Sequence, residues 1–413
     1  MKIFINAYAC CPNMGSEPGM AWNWCVNLAQ YCELHIVTEG EFRDRIEKVV
    51  GEIPQGKNMH FYYNPVPDKV RRMCWNQGDW RFYWYYRKWQ KRTADIAREI
   101  CLKESIDVLH QLNMIGFREP GYLWQVSKET GIPFVWGPID AKDHFPMSYA
   151  QSASLSMRFF LRLKNEITQW QLKHNKRVYN AAHQASYILA ASSNSQQSLK
   201  KYLGVNTILV NETGTYPSQQ AKDYVGKEEK GNLNLLWVGK MDFRKQLGLA
   251  ISSLAETHNQ NICLHIVGGG DTSDYVQQAN ALNVSERCFF HGKVTHERVQ
   301  EYMHEADILF FTSVAEGTPH VVLEAIGNGL PVLCFDTCGH GDSVNDKVGI
   351  RVPLTSPQQS IKDFAEIIEY LYHHREVLKE MSKNCTIRAK ELSWENKTKQ
   401  VVALYQKAVE KGI

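Results

Sequence analysis

The feature that most constrains this chain is an alternation. Short apolar, β-prone runs recur along it, each separated from the next by a stretch of helical character. In the first half the runs sit at 3–8, 34–38, 59–63, 108–110, 134–136, 187–190 and 207–210, with helix-like stretches such as 21–31, 81–104 and 196–202 between them. In the second half they sit at 235–238, 263–267, 288–291, 308–311 and 332–335. A strand that is apolar at successive positions is buried on both faces, and strands joined through helices run parallel. The pattern therefore predicts parallel sheets covered by helices on both sides, an α/β fold.

A chain of 413 residues is long enough for two such sheets, each with its own core. Between the halves, 217–232 (PSQQAKDYVGKEEKGN) is polar and charged without an apolar period, which reads as a linker or a sheet-entry loop. The expected division is two doubly wound, Rossmann-like domains, 1–212 and 213–393. A helix over about 394–413, after Ser393 as a candidate N-cap, is able to cross back to the first.

Composition removes several classes of function. Lys and Arg number 47 against 44 Asp and Glu, a net charge of +3, so nothing draws the whole chain to nucleic acid and any basic patch is local. Eleven scattered cysteines read as reduced thiols, and Cys334 and Cys338 find no second pair to complete a zinc set. The chain opens on a strand-like KIFINAY, not a signal peptide, and no apolar run approaches the roughly 18 residues of a spanning helix. The expectation is a cytoplasmic protein, at most peripheral on the inner face of a membrane.

The chemistry concentrates where strands end. Glu316–Glu324 (EGTPHVVLE) follows the run at 308–311, with Thr318 placed to cap a helix and Pro319 to open it. A helix starting at the carboxyl end of a parallel strand offers free N–H groups and a partial positive charge to a phosphate, at the place where open α/β sheets bind ligands. Glu316 stands just before the helix, in reach of a ligand's hydroxyls. Glu324 can accept two hydroxyl hydrogen bonds from a ribose. Trp237–Lys245 (WVGKMDFRK) follows another strand, where Gly239 permits a tight turn and Lys240 and Lys245 present point charges suited to a diphosphate. Cys263–Asp271 ends in Gly268, Gly269 and Gly270, and Phe289–Val294 turns at a glycine. Four strand ends in this order predict one shared crevice.

The order G-K-x4-K, G-G-G, F-x-G-x-V and E-x7-E resembles the retaining family-4 glycosyltransferases of GT-B fold, most specifically over 237–345. The resemblance implies two Rossmann-like domains facing a central cleft, 1–212 on the acceptor's side and 213–393 binding the donor, with a nucleotide-diphosphate sugar as donor and a glycan or lipid-linked acceptor. It implies that Lys240 and Lys245 hold the diphosphate and Glu324 the ribose. Glu316, with the backbone of Gly317, Thr318 and Pro319, would hold the sugar and phosphate, and the Lys293–Val294 backbone would meet the base. Family members often carry Arg where Lys240 stands. Met14–Trp22, with Gly15 and Gly19, matches the family's N-terminal glycine loop, and His110 matches a sugar-contacting histidine at a strand end. Transfer would retain anomeric configuration by front-face displacement. No D-x-D occurs, so no metal is expected, and the nucleotide-sugar is a co-substrate, not a cofactor. A sugar phosphorylase, a nucleotide-sugar epimerase and a non-catalytic nucleotide-binding subunit are the alternatives on the same scaffold.

Two basic, aromatic-dense stretches bear on the acceptor. Residues 71–92 read RRMCWNQGDWRFYWYYRKWQKR, and 157–177 carry Arg158, Arg162, Lys164, Lys173, Lys176 and Arg177 around Phe159, Phe160 and Trp170. Basic residues draw anionic headgroups and Trp and Tyr favour the interface, which predicts an N-terminal domain touching a membrane. The other reading packs the aromatics into that domain's core.

Overall fold

The computed structural model describes residues 1–76, 79–142, 144–217, 231–317 and 319–411. The chain forms two compact units. One comprises Met1–Asp143, Ile167–Thr213 and Trp394–Ile413, the other His144–Glu166 and Gly214–Ser393. Residues 144–166, which the sequence reading leaves in the first half, group with the second. The final helix, Trp394–Lys411, groups with the first.

The first unit holds β1 (Lys2–Ala7), β2 (Glu33–Thr38), β3 (Met59–Tyr63), β4 (Val108–Asn113), β5 (Phe134–Ile139), β6 (Tyr187–Ala190) and β7 (Ile208–Leu209). They form one seven-stranded sheet in the order β3-β2-β1-β4-β5-β6-β7. The second holds β8 (Leu233–Val238), β9 (Ile262–Val267), β10 (Cys288–Gly292), β11 (Ile308–Phe311), β12 (Val332–Phe335) and β13 (Gly349–Val352). Its six-stranded order is β10-β9-β8-β11-β12-β13. All pairings are parallel.

Each run read as a strand is one. The strand the sequence reading omits is β13, a four-residue edge strand whose middle residues, Ile350 and Arg351, are only half-buried. The central strands β1, β4, β5 and β11 are buried almost end to end, the continuous apolar pattern that two covered faces impose. In both sheets the winding direction reverses once, between β1 and β4 in the first and between β8 and β11 in the second. At such a reversal the connections leave to opposite sides and open a crevice beyond the strands' carboxyl ends.

Candidate functional site

The four loops singled out in the second half follow β8, β9, β10 and β11, which are consecutive neighbours in the sheet. Their backbones are laced together. Gly239 N–H donates to the Val267 carbonyl at 3.0 Å, Met241 N–H to Gly269 at 3.1 Å and Gly268 N–H to Gly292 at 2.9 Å. The glycines are required for this approach. A Cβ on Gly268 would lie 1.6 Å from the Gly239 carbonyl oxygen, and one on Gly270 would lie 2.5 Å from Met241 Cβ. Both residues also hold positive φ, 153° and 137°.

At the reversal between β8 and β11 the structure brings Lys245 and Glu316 together. Lys245 Nζ is 2.6 Å from Glu316 Oε1, with each side chain about one-fifth exposed. Ser313 Oγ donates to the same oxygen at 2.8 Å. The Lys245 ammonium also sits 5.1 Å from the centre of the Phe311 ring. The short helical turn Phe243–Lys245 aims the lysine, opened by Asp242, whose carboxylate accepts from Arg244 N–H. The guanidinium of Arg244 closes on that same carboxylate, which occupies its charge. Thr312 Oγ1 anchors the turn from β11's side, donating to the Lys245 carbonyl at 2.8 Å and accepting from the buried Trp237 Nε1 at 3.0 Å. Lys240 and Lys293 are exposed, and neither has an ion pair with another described residue. Val294 is half-buried beside them.

The helix after Glu316 runs His320–Gly327, and Pro319 stands at its cap position with ψ 116°. Pro319 is thus one residue outside the helix, not its first residue. Thr318 lies outside the described residues, and Gly317 is tied by its carbonyl to Gly339 N–H at 3.0 Å. Glu324 is one-third exposed and accepts from Gln300 Nε2 at 3.3 Å, with His296 Nε2 at 3.5 Å. Those two neighbours lie on the helix His296–Glu305, and sequence reasoning did not find them because they are distant from Glu324 along the chain.

His110 is elsewhere. The sequence reading ends its strand at His110, but β4 continues to Asn113, so His110 is an interior strand residue with no exposed surface. Both ring nitrogens are engaged, Nε2 with the Gly137 carbonyl at 2.6 Å and Nδ1 with the Tyr405 hydroxyl at 2.5 Å. Burial pushes its pKa down to about 4, against the Gly137 hydrogen bond, and keeps the ring neutral. His110 fixes the helix Trp394–Lys411 to the sheet and reaches no open surface. Its assignment beside a reacting sugar is corrected accordingly.

The first unit has its own opening at the β1/β4 reversal. A cavity of about 260 Å³ is lined by Tyr8 and Ala9 after β1, Thr38–Phe42 from β2 onward, Met114 after β4, and Ser16–Pro18 at the start of the helix Ser16–Leu28. Met73–Asn76, Asp79, Phe82 and Tyr83 complete it. Gly15 stands at that helix's cap position, exposed, with open space around it. Gly19 is the constrained glycine of the loop, since a Cβ there would lie 1.7 Å from the Met14 carbonyl oxygen. Beneath the floor, Asn6, Gln90, Gln111, Tyr86 and Asn113 form a buried hydrogen-bonded network. One potential metal-ligating group occurs among the described residues, Glu33, His35 and Glu104 at the opposite strand ends, and the Lys2 ammonium already bridges its carboxylates at 3.4 and 2.5 Å.

Comparison with known proteins bears on the second half. Residues 218–390 match the model of glycosyl transferases group 1. The likeness to that family covers those residues, less than half of the chain. Protein CapJ of Staphylococcus aureus is 30% identical over 142 residues, 29% of this chain and 36% of CapJ. Lipopolysaccharide glucosyltransferase WaaG of Escherichia coli is 32% identical over 148 residues, 32% of this chain and 38% of WaaG. The chain thus spans little more than a third of the length of either relative. The crystal structure of Anabaena HepE with UDP-glucose superposes with a TM-score of 0.61 at 15% identity, covering 98% of this chain and all of the other. At that identity the likeness establishes the GT-B-like fold of two parallel α/β sheets.

Proposed function

We propose that the chain transfers a hexose-type sugar from a nucleotide-diphosphate donor to a glycan or lipid-linked acceptor, with retention, in the assembly of a surface polysaccharide. The observation that carries this reading is the Lys245–Glu316 pair at the β8/β11 reversal, framed by glycine loops and set within a group 1 glycosyl transferase domain. Breaking the anomeric bond passes through an oxocarbenium-like state, and the departing diphosphate gains negative charge. Lys245 and the exposed Lys240 stabilise that charge, with the N–H groups at the start of the helix His320–Gly327. Glu316, held by Lys245 and Ser313, receives the donor sugar's hydroxyls. Glu324 takes the ribose hydroxyls, and the Lys293–Val294 backbone meets the base. The glycosyl transfer named for WaaG and the UDP-glucose bound by HepE support a nucleotide-sugar donor of this kind.

The acceptor reading draws on the helix Leu155–His174. Leu155, Phe159, Leu163, Ile167 and Trp170 repeat at helical spacing and all are exposed. Arg158, Arg162, Lys164 and Lys173 accompany this stripe against one acid, Glu166. An exposed apolar stripe with basic flanks suits an anionic membrane surface. The earlier stretch, 71–92, suits it less. Phe82, Tyr86 and Trp89 are core residues, Arg71 is spent on Glu39, Arg81 on Asp79, and Arg87 on Glu119. No helix among the described residues is long and apolar enough to cross a membrane.

The test is a thermal-shift screen against UDP, GDP, ADP and their sugars, followed by turnover with the stabilising donor, since a bound ligand raises Tm. Stabilisation by one nucleotide with sugar release supports transfer. Turnover that requires inorganic phosphate, or that interconverts the donor without an acceptor, favours a phosphorylase or an epimerase.

A further inference from the structure

The amino ends of the first sheet gather a set of side chains that the transfer function leaves unused. Parallel register places Lys2 of β1 beside Glu33 of β2, and His35 of β2 beside His60 of β3. Glu33 and His35 are two residues apart and so share one face of β2. The helix Phe82–Lys103 ends at Glu104, which comes to the same place. One potential ligand atom from each of Glu33, His35 and Glu104 lies within 4.8 Å of the others. His60 Nε2 stands 3.3 Å from Glu33 Oε1, and His35 Nε2 stands 3.6 Å from the same oxygen.

His35 is the residue that these contacts do not explain. It is 2% exposed, and its Nε2 has no hydrogen-bond partner, a costly state for a buried polar atom. The Lys2 ammonium neutralises the two carboxylates, at 3.4 Å from Glu33 and 2.5 Å from Glu104, but it leaves His35 Nε2 unpaired. A metal ion would satisfy that nitrogen. The His35 Nδ1 is 3.0 Å from the Tyr62 hydroxyl. With Nδ1–H donated there, the Nε2 lone pair faces the carboxylates, the arrangement in which an outer partner fixes a ligating imidazole. Ligand atoms on a tetrahedral zinc ion, bound at about 2.0–2.1 Å, stand roughly 3.4 Å apart, close to the two spacings around Glu33 Oε1. Imidazole combined with carboxylate suits Zn²⁺, whereas Mg²⁺ and Ca²⁺ take oxygen ligands. The side chains of Lys2, Glu33 and Glu104 are each about one-third exposed, so an ion can enter and the ammonium can leave.

We propose that Glu33, His35 and Glu104, with His60 as the fourth ligand, bind one Zn²⁺ ion, and that the Lys2 ammonium holds the same place until the ion displaces it. The ion ties β2, β3 and the end of the helix Phe82–Lys103 together at the end of the sheet away from the β1/β4 opening. It acts on the stability of the first unit and takes no part in sugar transfer. The site stands on these residues alone and does not depend on the transfer function.

Calorimetric titration of the untagged whole chain, stripped with a chelator, tests it, with ZnCl₂ and MgCl₂ as probes and melting followed on the same samples. One Zn²⁺ should bind and raise Tm, and Mg²⁺ at the same concentration should do neither. His35→Gln and Glu104→Gln should each weaken Zn²⁺ by at least about tenfold, since loss even of a partner outside the ligand set costs that much. His60→Ala should do the same, and its exposed position keeps the test valid where a change at the buried His35 unfolds the chain. Lys2→Met should tighten Zn²⁺ by about threefold to tenfold, because the competing cation is gone. Co²⁺ in place of Zn²⁺ reports the ligand type, and nitrogen and oxygen ligation is expected. A sulfur-to-metal charge-transfer band would place the ion on a cysteine and overturn the proposal. It is overturned also if wild type binds no Zn²⁺, if Mg²⁺ binds as well, if the histidine variants keep wild-type affinity, or if Lys2→Met binds Zn²⁺ no more tightly.

Discussion

The two sheets pose the same geometric problem and answer it with opposite charge. Each reverses its winding once and opens a crevice at that point, β1/β4 in the first unit and β8/β11 in the second. In the second unit the reversal carries Lys240, Lys245 and glycine loops laced at 2.9–3.1 Å. In the first it carries four carboxylates and an aromatic wall. Topology decides where a ligand can sit, while side chains decide what sits there. A leaving diphosphate needs cations, and a sugar nucleophile needs hydrogen-bond acceptors and a face to lie on. On the transfer function proposed above, this contrast suits the second unit to the donor's diphosphate.

The largest effect should come from emptying the cationic site. Lys245→Ala should lower kcat/KM by at least about 10²-fold, with Lys240→Ala close behind, and both should melt as wild type does. Near-wild-type rates in both would end the contrast, because the second reversal would then need no cation. Glu324→Ala comes next. Removing a charge-assisted bond to the ribose should weaken bare nucleotide about tenfold, as calorimetry would show.

Glu316→Ala sharpens the picture in the other direction. The carboxylate now competes for the Lys245 ammonium at 2.6 Å. Its removal should tighten bare nucleoside diphosphate by roughly threefold to tenfold while turnover falls. Weaker nucleotide binding in this variant would mean that Glu316 orients the lysine and does not compete for it.

A last effect is one of stability, and it belongs to the first unit. Lys397 is buried there and donates to the Asn211 carbonyl, and burial depresses its pKa to about 7 against the attraction of Glu212. The folded state therefore holds fewer protons at this site than the unfolded chain between about pH 7 and its ordinary value of 10.5, so stability from this group rises with pH across that window. Lys397→Met should compare best with wild type below pH 7 and lose ground steadily toward pH 10, in parallel melts. A difference independent of pH would show that folding leaves the lysine's proton affinity unchanged.

Much of this was legible in the sequence because buried parallel strands write an unambiguous pattern. The second unit's loops were legible too, since each follows its strand at once. What sequence could not supply was pairing across the chain. Lys245 and Glu316 each stand out alone, but their ion pair depends on β8 and β11 being neighbours. His110 misled because polar Gln111 and Asn113 look like a loop, although both are buried in β4 within a hydrogen-bonded network. The acidic cavity was invisible for the same reason. Glu17, Glu41 and Asp79 come from three separate segments that only the sheet order assembles, and the arginines of 71–92 looked like a basic surface until their partners were known.

The helix Trp394–Lys411 gives the first unit a particular history. Trp394 packs edge-on against Trp24, and Tyr405 closes on His110, so the last helix completes a core begun by the earliest strands. During synthesis the second unit's residues emerge first in full, while the amino-terminal sheet waits with an apolar face uncovered. A ribosome that stalls within this helix leaves the second unit whole and the first one unfinished. Order of translation and order of completion are therefore reversed for the two units, and loss of this helix is registered in the unit that holds β1.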